Sequence, residues 1–442
     1  MPSFNSGQIG TGLLSSVQDR IGLECMYVKR LNIYEFRCFG AAEMELQYPG
    51  RQAEPASDIS NVNLILGDNG GGKTSILRAL AIAVLAPALL ESGFVPSRLV
   101  RRTDDGAPRK SLLKIEGIAT TNEKPKTNRK RKLNLLARLE TRGGRGNLDR
   151  LHLEATPASP ISDLIFDDYS PAFFVAAYGA TRRVETSEFS ESSARRSRGL
   201  RYQRIAGLFE DHVALRPLQT WLPRLSSDPA KQNAAISQLR RVLPPQITFT
   251  GEQDEENQYL FRLNGNTSPF SSLSDGYKAF IGFASDLISH LVDVLPPKTA
   301  LDEIPGMVLV DEIDLHLHPE WQRTVVPALA AAFPRMQFVF TSHSALVAST
   351  VRKENVFLTD LDDAGVPTVR QSAENVFGRS AEQLLLSSYF GLTTTRAEGF
   401  HAQAVELFEE AAKGSSDAAI RYLERLTEPL ERITTDVRAA NN

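Results

Sequence analysis

One short stretch of the chain combines glycines, a lysine and a threonine at the spacing that phosphate binding requires. It reads Gly67-Asp68-Asn69-Gly70-Gly71-Gly72-Lys73-Thr74, after the apolar run 62–66 and before a helix-like run from Ser75. Glycines let the backbone curl so that its N–H groups point at phosphate oxygens, while the helix start attracts an anion. Lys73 then reaches the β- and γ-phosphates, and the Thr74 hydroxyl ligates Mg²⁺. Although a glycine-rich turn can match by chance, the flanking strand and helix predict a nucleoside triphosphate site formed by residues 67–75.

Two adjacent carboxylates follow a later apolar strand. The run 306–310 ends in Asp311 and Glu312, the arrangement called Walker B. Asp311 is predicted to hold Mg²⁺ through water, and Glu312 to orient and deprotonate the attacking water. Paired carboxylates also occur in plain surface turns. Combined with the phosphate loop, they predict ATP hydrolysis with Glu312 and Lys73 among the catalytic residues.

Two further motifs place polar groups where they can meet an anion. Leu273-Ser274-Asp275-Gly276-Tyr277-Lys278 precedes a helix-like run, so Ser274 and Gly276 offer a hydroxyl and free N–H groups. The same hexapeptide is also an ordinary helix start. The strand 337–341 ends in Ser342-His343, and His343 can hydrogen-bond the γ-phosphate as a catalytic switch, the alternative being a structural histidine.

The amino-acid composition limits the classes of protein to which this chain can belong. The 442 residues are 42% hydrophobic with a net charge of −3, so any contact with nucleic acid or membrane must come from a local patch. Two cysteines, Cys25 and Cys38, are too few for a disulfide framework and fit a reducing compartment. The polar N-terminus lacks the pattern of a signal peptide, and the apolar run 79–90 is too short to span a bilayer. We expect a cytoplasmic protein without a membrane partner.

The order of the motifs predicts one ATPase core with insertions. We expect a flexible tail over 1–25, an ATPase domain over 26–370 and a helical region over 371–442. Alternating apolar residues predict β hairpins inserted at about 110–155, and helical periodicity predicts a lobe at about 185–295.

A basic segment within the predicted hairpins is expected to form a loop. Lys124–Lys132 carries six lysines and arginines without interleaved aromatics. Two interpretations stay open: contact with the phosphate backbone of DNA or RNA, or a solvated hairpin tip. Sequence-specific reading of bases is not supported.

The motif order resembles the ABC-type ATPase heads of the SMC, RecF and OLD group. It is most similar to stand-alone bacterial defence ATPases of the AAA family, such as PtuA of the Septu anti-phage systems. The matching stretches are residues 178–182, 273–278, 311–322 and 377–385, and they span most of residues 26 to 395. The implied fold is α/β: a P-loop NTPase of ABC-head type with an antiparallel β subdomain, a helical lobe and a C-terminal helical region.

The resemblance implies a mechanism that spacing alone does not give. Two protomers would sandwich ATP, with Ser274 and Gly276 of one copy facing the phosphate loop of the other. The protein would then be a homo-oligomer, a dimer or a multiple of dimers. Arg182 falls in the Q-loop region, which implies a contact with the γ-phosphate. Tyr277 stands where transporters usually carry Gln, which favours the nucleic-acid-associated branch.

Several residues keep two interpretations. His316 and His318 are two residues apart and could suggest a zinc site, but the sequence offers no carboxylate or cysteine constellation to complete it. By the same resemblance, His318 falls where many ABC proteins carry the Asp of the D-loop. Arg37 and Phe39 are candidates to pack near the adenine. The alternative is that Arg37 is an ordinary surface charge and Phe39 an ordinary core aromatic. The C-terminal helices are either a packed lid or a docking surface for an effector or another protomer.

We therefore expect an ATPase that dimerises around ATP and Mg²⁺ and controls a partner effector in anti-phage defence or DNA metabolism. The sequence contains no HNH pattern, and no Toprim signature follows His343. Any DNA cleavage is expected from a partner such as a small HNH nuclease. The alternatives are the nucleotide-binding subunit of a membrane transporter, or a nucleotide-gated scaffold with slow hydrolysis.

Overall fold

The computed structural model describes residues 25–51, 59–102, 109–121, 129–141, 148–153, 165–184, 198–211, 213–363, 365–396 and 398–424. The chain forms two compact units, the first ending at Arg379 and the second beginning at Ser380. This division lies later than the predicted boundary after residue 370. The reason is that strand Pro367–Gln371 crosses that point and pairs with Val356–Leu361 in the first unit. The predicted tail lies outside the described residues except for Cys25, which begins the first strand.

The described strands are numbered in chain order. They are β1 (Cys25–Phe36), β2 (Phe39–Glu45), β3 (Val62–Gly67), β4 (Lys110–Thr121), β5 (Arg129–Thr141), β6 (Asp149–Leu153), β7 (Val175–Tyr178), β8 (Arg183–Val184), β9 (Ala214–Leu215), β10 (Ile247–Gln253), β11 (Tyr259–Leu263), β12 (Asn266–Pro269), β13 (Gly306–Val310), β14 (Met336–Thr341), β15 (Val356–Leu361) and β16 (Pro367–Gln371). The α-helices are Lys73–Glu91, Leu200–Gln203, Leu218–Trp221, Pro229–Val242, Asp275–Asp293, Pro319–Gln322, Val325–Ala332, Ala345–Ala348, Ala381–Leu385 and Glu398–Ala412.

A six-stranded sheet carries the predicted motifs. Its order is β16-β15-β3-β14-β13-β7, and all pairings are parallel except that of β15 with β16. The strands β13 and β14 are buried along their whole length, as expected for a parallel sheet covered on both faces. Because these strands are parallel, the residues that follow β3, β13 and β14 meet at one edge of the sheet. The sequence prediction of these strands is confirmed.

A five-stranded antiparallel sheet forms the β subdomain, in the order β2-β1-β4-β5-β6. The predicted antiparallel strands between 112 and 153 are confirmed, but the prediction of a loop over the whole of Lys124–Lys132 is wrong. Residues 129–132 belong to β5, since its pairing with β4 continues to Thr121 opposite Arg129. The rest of the basic segment up to residue 128 lies outside the described residues.

The helix Lys73–Glu91 packs against strands of both large sheets. It is apolar on most sides, and residues from Ile76 to Leu89 contribute to the main core. By length and composition this helix would pass as a membrane span, but 67% of its apolar window is buried within the fold. It is therefore the central helix of the core, and it begins directly after the phosphate loop.

Buried amide side chains fix the two sheets to each other. Gln337 on β14 accepts a hydrogen bond from the Val28 N–H at 2.9 Å and donates to its carbonyl at 2.7 Å. Asn63 on β3 does the same with Gln47, at 2.7 and 2.9 Å. Both amides are fully buried. Because Gln337 satisfies a donor and an acceptor on β1, and Asn63 does so just beyond the end of β2, the antiparallel sheet is held against the six-stranded sheet.

The predicted lobe contains helices and a small sheet. Helices Pro229–Val242 and Asp275–Asp293 pack together, and β10, β11 and β12 form a three-stranded antiparallel sheet. Most of residues 184–198, where the predicted lobe begins, lie outside the described residues. In the second unit the described residues include helix Glu398–Ala412, which exposes 57% of Phe408.

Candidate functional site

The phosphate loop curls between β3 and the helix Lys73–Glu91, and its backbone requires glycine. Gly67 has φ +145 and Gly72 has φ +88, in the region that side chains other than glycine rarely adopt. A Cβ on Gly72 would also lie 2.6 Å from both the Cys38 Sγ and the Phe39 ring, and one on Gly67 would lie 2.1 Å from the Thr359 Oγ1. The close approach of β15 and the β1–β2 turn therefore holds the loop in its curled form.

Lys73 is held at the mouth of this loop. Its Nζ donates hydrogen bonds to the Gly67 and Asp68 carbonyl oxygens, both at 2.8 Å. Burial lowers the pKa of Lys73, while the charges of Asp311 and Glu312 oppose that shift. The ammonium thus lies in the field of the Walker B carboxylates.

Asp311 is fixed by two threonine hydroxyls. Thr74 Oγ1 donates to Asp311 Oδ2 at 2.7 Å, and Thr341 Oγ1 donates to Asp311 Oδ1 at 2.6 Å. The Thr341 hydroxyl also accepts from the Glu312 N–H at 2.7 Å. Thr341 is the last residue of β14 and is fully buried. The sequence analysis did not identify Thr341 as a site residue, although its position at the end of an apolar strand could have indicated one.

The oxygen atoms at this point suit a magnesium ion. A hydroxyl and a carboxylate oxygen are the hard ligands that Mg²⁺ prefers, and it usually takes few protein ligands beside water and substrate phosphates. In the described part of the chain, no group of three or more His, Cys, Asp or Glu residues could hold a metal. The Thr74 hydroxyl and the Asp311 carboxylate, 2.7 Å apart, fit a magnesium ion shared with a nucleotide because both offer hard oxygen ligands.

Glu312 turns away from the strand in an unusual conformation. Its φ is +48, a costly value for a residue other than glycine. Arg182 stabilises this turn, donating to the Asp311 carbonyl at 3.1 Å and to the Glu312 carbonyl at 2.7 Å. Burial lowers the pKa of Arg182 to about 10, so it keeps its charge at neutral pH. Its predicted contact with the γ-phosphate stays a prediction, because in this structure the guanidinium braces the carboxylate turn.

The signature segment packs on the residues that follow Walker B. A Cβ on Gly276 would lie 2.3 Å from the His316 carbonyl oxygen, and the Tyr277 ring meets Trp321 edge-on at 4.1 Å. Ser274 occupies the N-cap position of helix Asp275–Asp293, but its side chain makes no capping hydrogen bond, and the residue is exposed. Within the described residues, Ser274 shares no hydrogen bond with the phosphate loop of its own chain. Its hydroxyl faces outward.

A family described as "AAA domain, putative AbiEii toxin, Type IV TA system" matches residues 62–349, which is more than half of the chain. The chain belongs to this AAA family. The matched region of this AAA ATPase contains the phosphate loop, the signature segment, Walker B and β14. Membership implies that the protein binds ATP, which agrees with the resemblance to ABC-type heads.

Curated relatives of this AAA ATPase include a Septu protein and a retron ATPase. The Septu protein PtuA of Bacillus mycoides (strain KBAB4) is 23% identical over 387 residues, which cover 86% of this chain and 47% of that protein. The retron Vc95 probable ATPase of Vibrio cholerae serotype O1 biovar El Tor is 38% identical over 122 residues, covering 28% of this chain and 24% of that protein. The chain thus spans about half the length of the Septu relative. Among solved structures, the SMC head domain from Thermotoga maritima has a TM-score of 0.40 at 15% identity, covering 78% of this chain and 99% of that one.

Other predicted residues of the AAA ATPase lie at defined places. His343 follows β14 at the carboxylate edge and is half-buried; its switch role stays a prediction. Ser75 is buried, so its side chain faces the interior. Phe39 is fully buried beneath the phosphate loop, in the core. His318 Nδ1 accepts from the Glu320 N–H at 3.4 Å and caps a short helix.

Proposed function

We propose that this AAA ATPase binds ATP with Mg²⁺ and hydrolyses it between two copies of the chain. The observation that carries the proposal is the 2.7 Å contact between the Thr74 hydroxyl and the Asp311 carboxylate. It brings the phosphate loop and Walker B to one point, where two ligands for a metal and the Lys73 ammonium converge. The exposed Ser274 hydroxyl, which does not cap its own helix, is free to meet the nucleotide of a second copy.

Each residue would have a distinct role. Lys73 and the loop N–H groups would hold the phosphates, and Thr74 and Asp311 would hold the metal, which when bound neutralises phosphate charge. Glu312, held by Arg182 and by the Thr341 hydroxyl, would orient the attacking water and accept its proton.

The remaining groups act on the terminal phosphate. His343 would donate a hydrogen bond to the γ-phosphate from the edge of β14. Ser274 and Gly276 of the second copy would complete the phosphate environment, so hydrolysis would require that the two copies engage.

The biological role follows from the relatives. Similarity to a Septu protein and to a retron ATPase supports a cytoplasmic ATPase that controls an effector, such as an HNH nuclease, in anti-phage defence or DNA metabolism. The basic segment Lys124–Lys132 is proposed as a contact for DNA or RNA. The chain covers only about half the length of the Septu relative. A partner effector and its trigger are therefore proposed for this protein and are not inferred from that relative's whole length.

Phosphate release by the purified chain tests this function. With ATP and Mg²⁺ we expect turnover that Lys73→Ala abolishes and that Lys231→Ala, a half-buried lysine on helix Pro229–Val242, leaves unchanged. DNA incubated in parallel should stay intact. Equal turnover in both variants would contradict ATP hydrolysis at this site, and metal-dependent DNA cutting by the pure chain would contradict the partner model.

A further inference from the structure

Tyr178 connects two parts of the site through different atoms. It ends β7, and its carbonyl oxygen accepts from the Asp311 N–H at 2.8 Å. Its hydroxyl donates to Asp286 Oδ2 at 2.9 Å, on the helix Asp275–Asp293 that begins with the signature. Both side chains are 4% exposed. One residue therefore contacts Walker B by its backbone and the signature helix by its side chain.

Asp286 has further partners inside the protein. Its Oδ1 accepts from the Arg216 N–H at 2.7 Å, and its Oδ2 lies 3.4 Å from His290 Nε2 one turn along the helix. Burial opposes ionisation of Asp286, but His290 and Arg216 outweigh it and lower its pKa to about 2. Burial raises the pKa of Tyr178 well above its ordinary value, so the hydroxyl keeps its proton and remains a donor. The contact is thus a charge-assisted hydrogen bond in a buried setting.

The space around this pair is polar and not tightly filled. A cavity of about 20 Å³ is lined by Arg182, Arg204 and His290 beside the pair. Among the described residues, Arg204 Nε and Nη1 and His290 Nδ1 are buried and find no hydrogen-bond partner. The volume holds about one water molecule, which can accept from Arg204 and donate to His290. A polar contact with such space permits a small shift that a close-packed apolar contact resists.

The segment after β7 closes a loop of contacts. Tyr178 accepts from the amide of Asp311, and Arg182 donates to the carbonyls of Asp311 and Glu312. Residues 178–182 are therefore attached to the carboxylate turn at both ends. A movement of the signature helix that pulls on Asp286 is transmitted through Tyr178 to the residue pair that positions water and metal.

We propose that Tyr178 and Asp286 are positioning residues that couple the signature helix to the catalytic carboxylates, so that engagement of Ser274 by a second copy sets the geometry of Glu312. This inference rests on the proposed function. It differs from a purely structural role because it predicts a loss in the chemical step without a loss of nucleotide binding.

The test uses Tyr178→Phe, which removes only the hydroxyl and leaves Asp286 with its two other partners. The matched control is Ser285→Ala on the same helix. Its buried Oγ accepts from Trp221 Nε1 at 3.1 Å, and in the described part of the chain it makes no hydrogen bond to Walker B. We expect both variants to lower the unfolding temperature by a similar amount. Only Tyr178→Phe should lower kcat, by about tenfold, with KM and the dissociation constant for ATP unchanged.

A double-mutant cycle with Ser274→Ala separates the two proposals. If the coupling exists, Tyr178→Phe combined with Ser274→Ala is no slower than Ser274→Ala alone, because the second change removes a signal that is already absent. Multiplying effects, or an unchanged kcat in Tyr178→Phe, would overturn the coupling while leaving the proposed function standing. A Ser274→Ala variant with the turnover of the natural protein would instead overturn the proposed function.

Discussion

Replacing Thr341 with valine removes one hydroxyl that contacts both residues of the carboxylate pair. The hydroxyl donates to Asp311 at 2.6 Å and accepts from the Glu312 N–H at 2.7 Å. A hydrogen bond to a charged group contributes about 1.5–3 kcal/mol, and an unsatisfied buried donor costs about 1–3 kcal/mol. Since valine has nearly the same shape, we expect the free energy of unfolding to fall by about 3 kcal/mol. Loss of the Glu312 anchor should also lower kcat by about tenfold or more.

Urea unfolding and steady-state phosphate release together test this prediction. Thr250→Val is the matched control, because the Thr250 hydroxyl likewise donates one hydrogen bond, to the neutral Leu260 carbonyl at 2.8 Å, and accepts another from the Glu252 N–H at 3.1 Å. It lies half-buried on β10, in a different sheet from the carboxylates, so its loss should cost about 1 kcal/mol and leave kcat unchanged. If Thr341→Val and Thr250→Val have the same kcat, the threonine does not position Glu312 and the reasoning is refuted.

Three further changes probe the site. Glu312→Gln should keep ATP binding but reduce turnover on the order of a hundredfold, because the proton acceptor is lost while the phosphate loop is intact; unchanged turnover would remove Glu312 from that role. Gly72→Ala should weaken ATP binding, since the new Cβ would lie 2.6 Å from the Phe39 ring at φ +88; an unchanged dissociation constant by titration would show that the loop tolerates a side chain. Burial lowers the pKa of His290 below 6.5 in the folded state. As the pH drops, His290 therefore takes up a proton in the unfolded chain before it does so in the folded protein, and the free energy of unfolding falls below about pH 6.5. His290→Gln should reduce that dependence by up to about 1.4 kcal/mol per pH unit, and identical slopes in urea unfolding at several pH values would contradict it.

Local pattern was enough to predict the elements that carry the chemistry. The glycine loop, the apolar strands before Asp311 and His343, and the signature helix all follow from runs of adjacent residues. The contacts that hold them were not predictable in this way. Tyr178 and Asp286 are 108 residues apart in the chain, and only the parallel pairing of β7 with β13 and the packing of the lobe bring them together.

Two other features depended on tertiary context. The close contact of Gly276 with His316 explains a glycine that the sequence assigned only to anion binding. Residues 129–132 continue β5 because the ladder with β4 satisfies their backbone groups. The run of basic residues therefore predicted a loop, whereas backbone hydrogen bonds to β4 make residues 129–132 part of a strand.

Mixing two variants that are each impaired in a different half of the site tests the central claim most directly. Lys73→Ala disables the phosphate loop of its own chain, whereas Ser274→Ala disables the signature that a chain presents to its neighbour. A mixed pair retains one composite site with both halves intact, so phosphate release should return to a substantial fraction of the natural rate on mixing. No recovery on mixing, with the natural protein remaining a single copy when nucleotide is bound, would contradict hydrolysis between two chains.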